Sequence, residues 1–126
     1  TAEAAGADLC ACVEAPVTIA PGETVFIPTG IALEVPKGCA GLIYARSGMA
    51  CKRGLAPANK VGVVDSDYRG EINVVLYNHG STSQVVENGD KIAQFIITPV
   101  LTPAYEAVSA LSDTVRGEGG FGSTGK

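Results

Sequence analysis

Short apolar runs rich in β-branched residues recur along the chain, and glycine or proline interrupts them roughly every 8 to 12 residues. This spacing is typical of a β-sandwich or barrel, and only residues 47–52 favour a single helical turn. The longest run, 91–101, follows the hairpin-type turn 88–90. The pattern therefore predicts an all-β chain. The expected strands cover residues 13–20, 24–27, 30–35, 40–45, 61–64, 71–77, 84–87, 91–101 and 105–111.

The amino-acid composition indicates that the chain associates with other subunits. Hydrophobic residues make up 46% of the 126 residues, a high share for one small domain that must cover itself with polar surface. We therefore expect an oligomer that buries apolar surface between subunits. The net charge of −4 offers no basic field for a nucleic-acid backbone. No apolar run reaches the ~20 residues that span a bilayer, and no signal peptide opens the sequence. We expect neither nucleic acid nor a membrane as partner.

The cysteines indicate the compartment. Cys10, Cys12, Cys39 and Cys51 lack the Cys-x2-Cys spacing of a zinc site, and the only histidine, His79, lies in a turn-like segment. We expect free, buried thiols in a reducing, intracellular compartment.

The stretch Val61–Gly70 joins a short β-branched run to a charged turn that ends in glycine. Asp65 stands where the run ends, and a carboxylate held there can act as a base. Tyr68 adds a flat ring three residues later. Aspartate and glycine also make ordinary hairpin turns, and the stretch taken alone favours that alternative.

Three further places combine candidate ligand-binding chemistry with an ordinary alternative. Arg46, Ser47 and Gly48 lie where a strand ends and a helical turn begins, so backbone N–H groups there can face an anion. The alternative is an N-cap serine beside a surface arginine. Gln94 is polar within an apolar strand, and it is either a buried amide bonded to backbone or a ligand contact. Asp8 is either a turn residue or an aid to a metal.

The end of the chain, 116–126, is rich in glycine and cannot fold alone. Its backbone N–H groups can wrap phosphate oxygens, Ser123 and Thr124 add hydroxyls, and Arg116 adds a guanidinium. Phe121 can stack on a flat base. The segment formally matches a P-loop, but no helix follows, so we reject that match. A disordered tail is the alternative.

Five segments in this order resemble the five motifs of the trimeric dUTPase (deoxyuridine triphosphate nucleotidohydrolase) family. Order and spacing agree from residue 5 onward, and the third and fifth motifs are highly specific. Ala45 stands where the family often has proline, and Lys91 where it often has arginine. The five segments are residues 5–9, 45–50, 62–70, 89–94 and 116–125.

The resemblance implies a distorted jelly-roll-like β-barrel domain over 1–115, assembled as a homotrimer, and a mobile arm over 116–126 that closes over the active site. Each active site would lie at a subunit interface. One subunit would supply motifs one, two and four, a second would supply motif three, and a third would lend its arm.

The implied reaction is hydrolysis of dUTP to dUMP and pyrophosphate with Mg²⁺, which limits uracil in DNA and supplies dUMP for thymidylate synthesis. Asp65 would orient and deprotonate the attacking water, and Asp8 would hold a water of the Mg²⁺ shell. The residues implied to grip the phosphates are Arg46, Ser47, Gly48 and Gln94. Those of the closing arm are Arg116, Gly120, Phe121, Gly122, Ser123 and Thr124.

The resemblance also implies how the substrate is selected. Asn59, Gly62 and Val64 would present the uracil-reading hairpin, and Tyr68 would pack under the sugar. Two alternatives stay open. One is a dCTP deaminase or bifunctional relative, which needs an additional glutamate that has no clear match here. The other is a non-catalytic nucleotide-binding trimer.

Overall fold

The computed structural model describes residues 1–125, and Lys126, the last residue of the expected arm, lies outside the described residues. The described chain forms antiparallel strands and one short π-helical segment, Met49–Arg53. The strands are β1 Ala7–Cys10, β2 Val17–Ile19, β3 Thr24–Ala32, β4 Cys39–Tyr44, β5 Leu55–Pro57, β6 Gly62–Val64, β7 Glu71–Asn78, β8 Gln84–Val86 and β9 Lys91–Pro99.

The strands form three sheets, so the prediction of an all-β chain is confirmed. The four-stranded sheet has the order β1-β9-β4-β6, the three-stranded sheet β3-β7-β5, and the two-stranded sheet β2-β8. The core lies between them, because fully buried side chains come from each sheet. Ile92 of β9, Leu76 of β7 and Ile19 of β2 all have 0% exposure.

Strict alternation explains why β7 forms at the centre of its sheet. Ile72, Val74 and Leu76 point into the core, while Glu71 before them and Asn73 between them are exposed. Side chains of a strand alternate between the two faces, so this period-2 pattern buries one apolar row. The strand pairs with β3 on one side and β5 on the other. The turn that follows Asp65 leads directly into it.

Several sequence predictions differ from the structure. The break expected at 28–30 is wrong, because β3 runs through Pro28 to Ala32 with a register shift. In this bulge the buried Thr29 hydroxyl donates to the Ile72 carbonyl at 2.6 Å. Strands β1 and β5 were not predicted. The strand expected over 105–111 is not formed, and those residues are exposed.

The helical turn expected over 47–52 is confirmed, since residues 47–53 are helical. The thiols are free as expected, but their predicted burial is wrong. Cys10, Cys12 and Cys51 are exposed, and Cys39 is half-buried. Within residues 1–125, no helix is long and apolar enough to cross a membrane.

Candidate active site

The five residues predicted to hold the nucleoside and the attacking water line one cavity of 320 Å³. They are Asn59, Gly62, Val64, Asp65 and Tyr68. Four of them come from the β6 strand and the turn after it, because β6 ends at Val64 and Asp65 follows at once. The structure therefore places the candidate base and the candidate sugar-contacting ring on the same wall.

An arginine holds the turn that carries Asp65. The Tyr68 backbone N–H donates to the Asp65 carbonyl at 3.1 Å, which closes the turn. The Arg69 Nη1 atom donates to the carbonyls of Ser66 at 2.8 Å and Tyr68 at 3.1 Å. Its Nη2 atom pairs with the Glu34 carboxylate at 3.3 Å. These contacts fix the backbone of the turn that follows the candidate base.

Asp65 borders a second cavity of 680 Å³, which Asp67 and Arg69 also line. The side chain of Asp65 is exposed. Its carboxylate therefore lies in the wall between two water-accessible spaces, which suits a group that must bind and orient a water molecule.

The hairpin predicted over residues 59–64 is the end of a longer segment, 55–64, which joins two sheets rather than forming a two-stranded ladder of its own. Its first arm, β5, pairs with β7, and its second arm, β6, pairs with β4. At the tip, Val61 N–H donates to the Asn59 carbonyl at 2.7 Å, and Lys60 adopts a positive φ of 66°. A Cβ on Gly62 would lie 3.1 Å from the Ile43 Cβ, so a side chain there would crowd the core.

A cluster of three charged side chains forms the candidate phosphate site. The Asp8 Oδ1 atom pairs with Arg46 Nε at 2.9 Å, and its Oδ2 atom pairs with Lys91 Nζ at 2.9 Å. Arg46 Nη1 also donates to the Lys91 carbonyl at 3.2 Å. The cluster assembles because β1 pairs with β9 in a register that sets Asp8 opposite Gln94. It carries one net positive charge.

The Asp8 carboxyl is held in its ionised form. The hydrogen bond from Lys91 is the largest influence that lowers its pKa below the ordinary value, and the charge of Arg46 lowers it further against partial desolvation. Both oxygens of the Asp8 carboxylate are already paired with a cation, so in this structure the carboxylate orients the Arg46 side chain. Among residues 1–125 no group of three or more His, Cys, Asp or Glu side chains could hold a metal ion.

The helical turn places the other candidate phosphate ligands at the surface. Ser47 and Gly48 are exposed, and Ala50 N–H donates to the Arg46 carbonyl at 2.9 Å. The Gln94 side-chain nitrogen donates to the Ala45 carbonyl at 2.9 Å, which is the backbone-bonded alternative for this amide. These residues lie outside the lining of the 320 Å³ cavity.

The arm residues are not brought to that cavity within one chain. Arg116 Nε donates to the Gly119 carbonyl at 2.6 Å, and Ser123 N–H donates to the Gly120 carbonyl at 3.0 Å. Phe121 is fully exposed with a positive φ of 50°. Gly122 and Thr124 continue the same run of turns.

Sequence reasoning missed two contributors. Lys91 was not among the predicted site residues, although it holds Asp8 through the pairing described above. Its position within the fourth motif was the available signal. The other is the rest of the lining of the 320 Å³ cavity, most of which lies on strands outside the motifs, with Val63 the one member inside the third motif. Its residues are Phe26, Ile43, Val63, Glu71, Ile72, Asn73 and Val75.

A nucleoside-sized cavity beside a carboxylate, on an all-β chain that also carries a cationic cluster, defines a class of nucleotide-binding hydrolases. The comparisons with known proteins give the family. The protein-family model for dUTPase matches residues 1–125. The chain belongs to the dUTPase family, as the five motifs predicted.

Bacterial relatives agree over the whole chain. A deoxyuridine 5'-triphosphate nucleotidohydrolase of Desulfitobacterium hafniense is 52% identical over 126 residues, covering 99% of this chain and 83% of the relative. The protein of the same description from Maricaulis maris is 51% identical over 127 residues, covering 99% and 84%.

Solved structures share the fold. The dUTPase of Staphylococcus bacteriophage 80alpha with dUPNHPP superposes with a TM-score of 0.88 at 28% identity, covering 98% of this chain and 88% of that chain. The dUTPase of Streptococcus mutans gives a TM-score of 0.76 at 32% identity, covering 83% and 85%.

Proposed function

We propose that this chain hydrolyses dUTP to dUMP and pyrophosphate by attack of an Asp65-activated water on the α-phosphorus. Membership of the dUTPase family makes the chain a dUTP diphosphatase. The reaction would limit uracil in DNA and supply dUMP for thymidylate synthesis. The observation that carries the mechanism is the single cavity shared by Asn59, Gly62, Asp65 and Tyr68.

The Asp65 carboxylate would take the proton of the attacking water. The new bond forms between the water oxygen and the α-phosphorus, and the bond from that phosphorus to the oxygen bridging to the β-phosphate breaks. Pyrophosphate leaves with the electron pair. Positioning and charge stabilisation dominate such reactions, so the fixed turn around Asp65 supports this role.

Arg46 would be the principal phosphate ligand. Its guanidinium carries five N–H donors, and the bonds to Asp8 and the Lys91 carbonyl hold its plane while leaving donors for phosphate oxygens. The exposed Ser47 and Gly48 would add a hydroxyl and a backbone N–H. The net positive charge of the cluster supports binding of a triphosphate.

The dUTPase family depends on a divalent metal, and we propose Mg²⁺. When bound, this ion neutralises charge on the phosphate oxygens and orients them. Mg²⁺ usually keeps several waters and needs few protein carboxylates besides substrate phosphates. The chain's residues fit an ion carried by the triphosphate, and they do not form a preassembled cage in residues 1–125. Asp8 would hold one of its waters.

The cavity would select the nucleotide by shape and polarity. Asn59, Gly62 and Val64 would set backbone donors and acceptors against the uracil edge and leave no room for the methyl group of thymine. Tyr68, a residue that is 45% exposed, would pack under the deoxyribose. Phe121 would cover the base from the other side, since aromatic stacking contributes ~1–3 kcal/mol per base.

We propose a jelly-roll-like homotrimer whose subunits share each active site. One support is the separation of the candidate residues into a nucleoside cavity, a phosphate cluster and an arm. A second is the exposed apolar surface, which includes Phe26, Val63 and the strandless segment 100–115. Residues 116–126 would then be the arm that closes over a neighbouring subunit's cavity.

The four free thiols support an intracellular, reducing compartment for the chain. A disulfide in an oxidising compartment would need two of these cysteines to be brought together, and all four are unpaired in the structure.

Pyrophosphate release measured side by side on dUTP, UTP, dTTP and dCTP tests the proposal. We expect rapid release from dUTP and at least ~10²-fold lower kcat/KM for the other three. Ammonia release from dCTP would instead indicate a deaminase-like relative. Tight binding of dUTP without pyrophosphate release would indicate a non-catalytic binding trimer.

A further inference from the structure

The side chain of Tyr68 occupies the space where any other residue at position 70 would carry its Cβ atom. A Cβ built on Gly70 would overlap the Tyr68 hydroxyl oxygen, and it would lie 2.6 Å from Cζ and 3.0 Å from Cε2. Packed heavy atoms do not approach each other this closely. The ring can therefore keep its position only because Gly70 has no side chain.

The hydroxyl end of the same ring has a fixed anchor. It donates to the Glu71 carbonyl at 2.9 Å, and the Asn73 side-chain nitrogen donates to that carbonyl at 3.3 Å. The Glu71 carboxylate in turn accepts the Gly30 N–H at 2.8 Å, which ties β7 to β3. The Tyr68 ring is thus held by the hydrogen bond of its hydroxyl, and it fits in this position because Gly70 has no side chain.

We propose that Gly70 is a positioning residue for sugar discrimination, because the absence of its side chain sets the Tyr68 ring against the 2′ carbon of the substrate. The inference rests on the proposed function, since it assumes that Tyr68 contacts the sugar. In the observed position the ring lines the same cavity as Asp65, Asn59 and Gly62. A shifted ring would leave room for a 2′-hydroxyl.

The structure allows this role to be tested without disturbing the fold. Gly70 has no left-handed φ, so alanine can adopt its backbone conformation. All the nearest obstacles are the far end of one side chain, so the ring moves and the backbone stays. Gly54 is the opposite case. Its φ is 68°, and a Cβ there would lie 2.8 Å from the Gly80 backbone nitrogen.

The experiment measures kcat/KM of the full chain and its Gly70→Ala variant for pyrophosphate release from dUTP, UTP and dCTP. We expect the preference for dUTP over UTP to fall about tenfold, because a small displacement of a contacting group is costly. The preference for dUTP over dCTP should stay within about twofold, because residues 59–64 read the base. An unchanged dUTP-to-UTP preference, or an equal loss of both preferences, would overturn the proposal.

A double-mutant cycle separates this inference from the function on which it rests. Once Tyr68→Ala has removed the ring, adding Gly70→Ala should change the dUTP-to-UTP preference no further. If Tyr68→Ala itself leaves that preference unchanged, the proposed sugar contact fails. If Tyr68→Ala lowers it and Gly70→Ala does not, only the positioning role fails. Gly54→Ala serves as the fold control, with a lower melting temperature expected at an unchanged preference.

Discussion

At the scale of single residues, the two carboxylates of the turn after β6 differ in what they face. Asp65 borders both the 320 Å³ cavity and the 680 Å³ cavity, while Asp67 lines only the second of these two. Both side chains are exposed and both lie in a turn fixed by Arg69. Asp65 and Asp67 therefore have the same functional group and similar exposure. They differ only in which cavities they line.

Asp65→Asn is expected to retain dUTP binding and to lose turnover. The amide keeps the size of the side chain but cannot accept a proton at neutral pH, so kcat should fall roughly 10²- to 10⁴-fold. Single-turnover kinetics gives the chemical step, and titration calorimetry gives Kd, which we expect to change only a few-fold.

Asp67→Asn is the matched control, because it removes the same charge two positions away in the same turn. We expect its kcat to stay within a few-fold of the parent chain. A near-normal kcat in the Asp65 variant would remove that residue from the mechanism. Equal losses in both variants would point to a general effect of charge.

At the scale of elements, one arginine docks the helical segment Met49–Arg53 onto β8 and the turn before β9. Arg53 donates to the Gln84 side chain at 3.3 Å and to the Val85 carbonyl, and its Nη1 pairs with Asp90 at 3.6 Å. Asp90 also ends the turn that leads into Lys91. Arg53 thus joins the segment after Ser47 and Gly48 to the turn before β9, the strand that supplies Lys91 of the cationic cluster.

Arg53→Ala is expected to weaken substrate binding more than chemistry. When the helical segment loosens, the candidate phosphate ligands Ser47 and Gly48 are no longer held in place. KM for dUTP should therefore rise about fivefold while kcat changes less than twofold. The melting temperature should also fall, because half-exposed hydrogen bonds of this kind contribute about 1–2 kcal/mol in total. Steady-state kinetics and thermal unfolding give both values.

Lys52→Ala is the control, since Lys52 precedes Arg53 in the segment and its side chain is exposed. Both KM and melting temperature should stay near the parent values. Arg53→Lys should restore only part of the loss, because an ammonium group cannot replace a guanidinium that bonds several partners at once. A full rescue by lysine would show that charge alone matters.

The strands that could be predicted from the sequence are those with a clear local hydrophobic pattern. The alternation of β7 and the long apolar run of β9 were found because each carries its signal within a few residues. Strands β1 and β5 are short, and β5 ends in Pro57, so neither shows a clear period. The bulge in β3 was taken for a turn, because Pro28 and Gly30 favour turns unless a partner strand continues across them.

The site follows the same logic. Asp65, Tyr68 and Gly62 stand within one motif, so local sequence was enough to group them, and the structure places them in one cavity. The contact between Lys91 and Asp8 depends on the register of β1 against β9, which joins residues more than 80 positions apart. The fourth motif marks the position of Lys91, but no single-sequence pattern indicates the strand register that sets it beside Asp8.

At the scale of the whole molecule, the chain separates into a sheet-forming part that ends with β9 and an exposed segment after it. Residues 101–118 are exposed throughout and form no strand. Leu101, Tyr105 and Leu111 are large apolar side chains with at least 87% exposure. Apolar surface on this scale favours burial against other subunits, which agrees with the proposed trimer.

Removal of residues 116–126 is expected to leave folding and assembly intact and to reduce activity strongly. The backbone hydrogen bonds of residues 116–125 stay within that segment, as from Gly119 N–H to the Arg116 carbonyl at 3.1 Å, or reach only the nearby Thr114, as from Gly117 N–H. The segment therefore contributes little to the core, and melting temperature and molar mass by light scattering should match the full chain.

Activity should respond differently, because the arm supplies the groups that would exclude water and cover the base. We expect kcat/KM for dUTP to fall at least about 10²-fold, most of it from loss of stacking and of phosphate contacts. In the full chain, Phe121→Ala measures the part of the loss in kcat/KM that comes from stacking on the base, and Arg116→Ala measures the part that comes from phosphate contacts. A truncated chain that keeps full activity would rule out a closing arm, whereas one that loses its trimer mass would assign residues 116–126 to assembly instead.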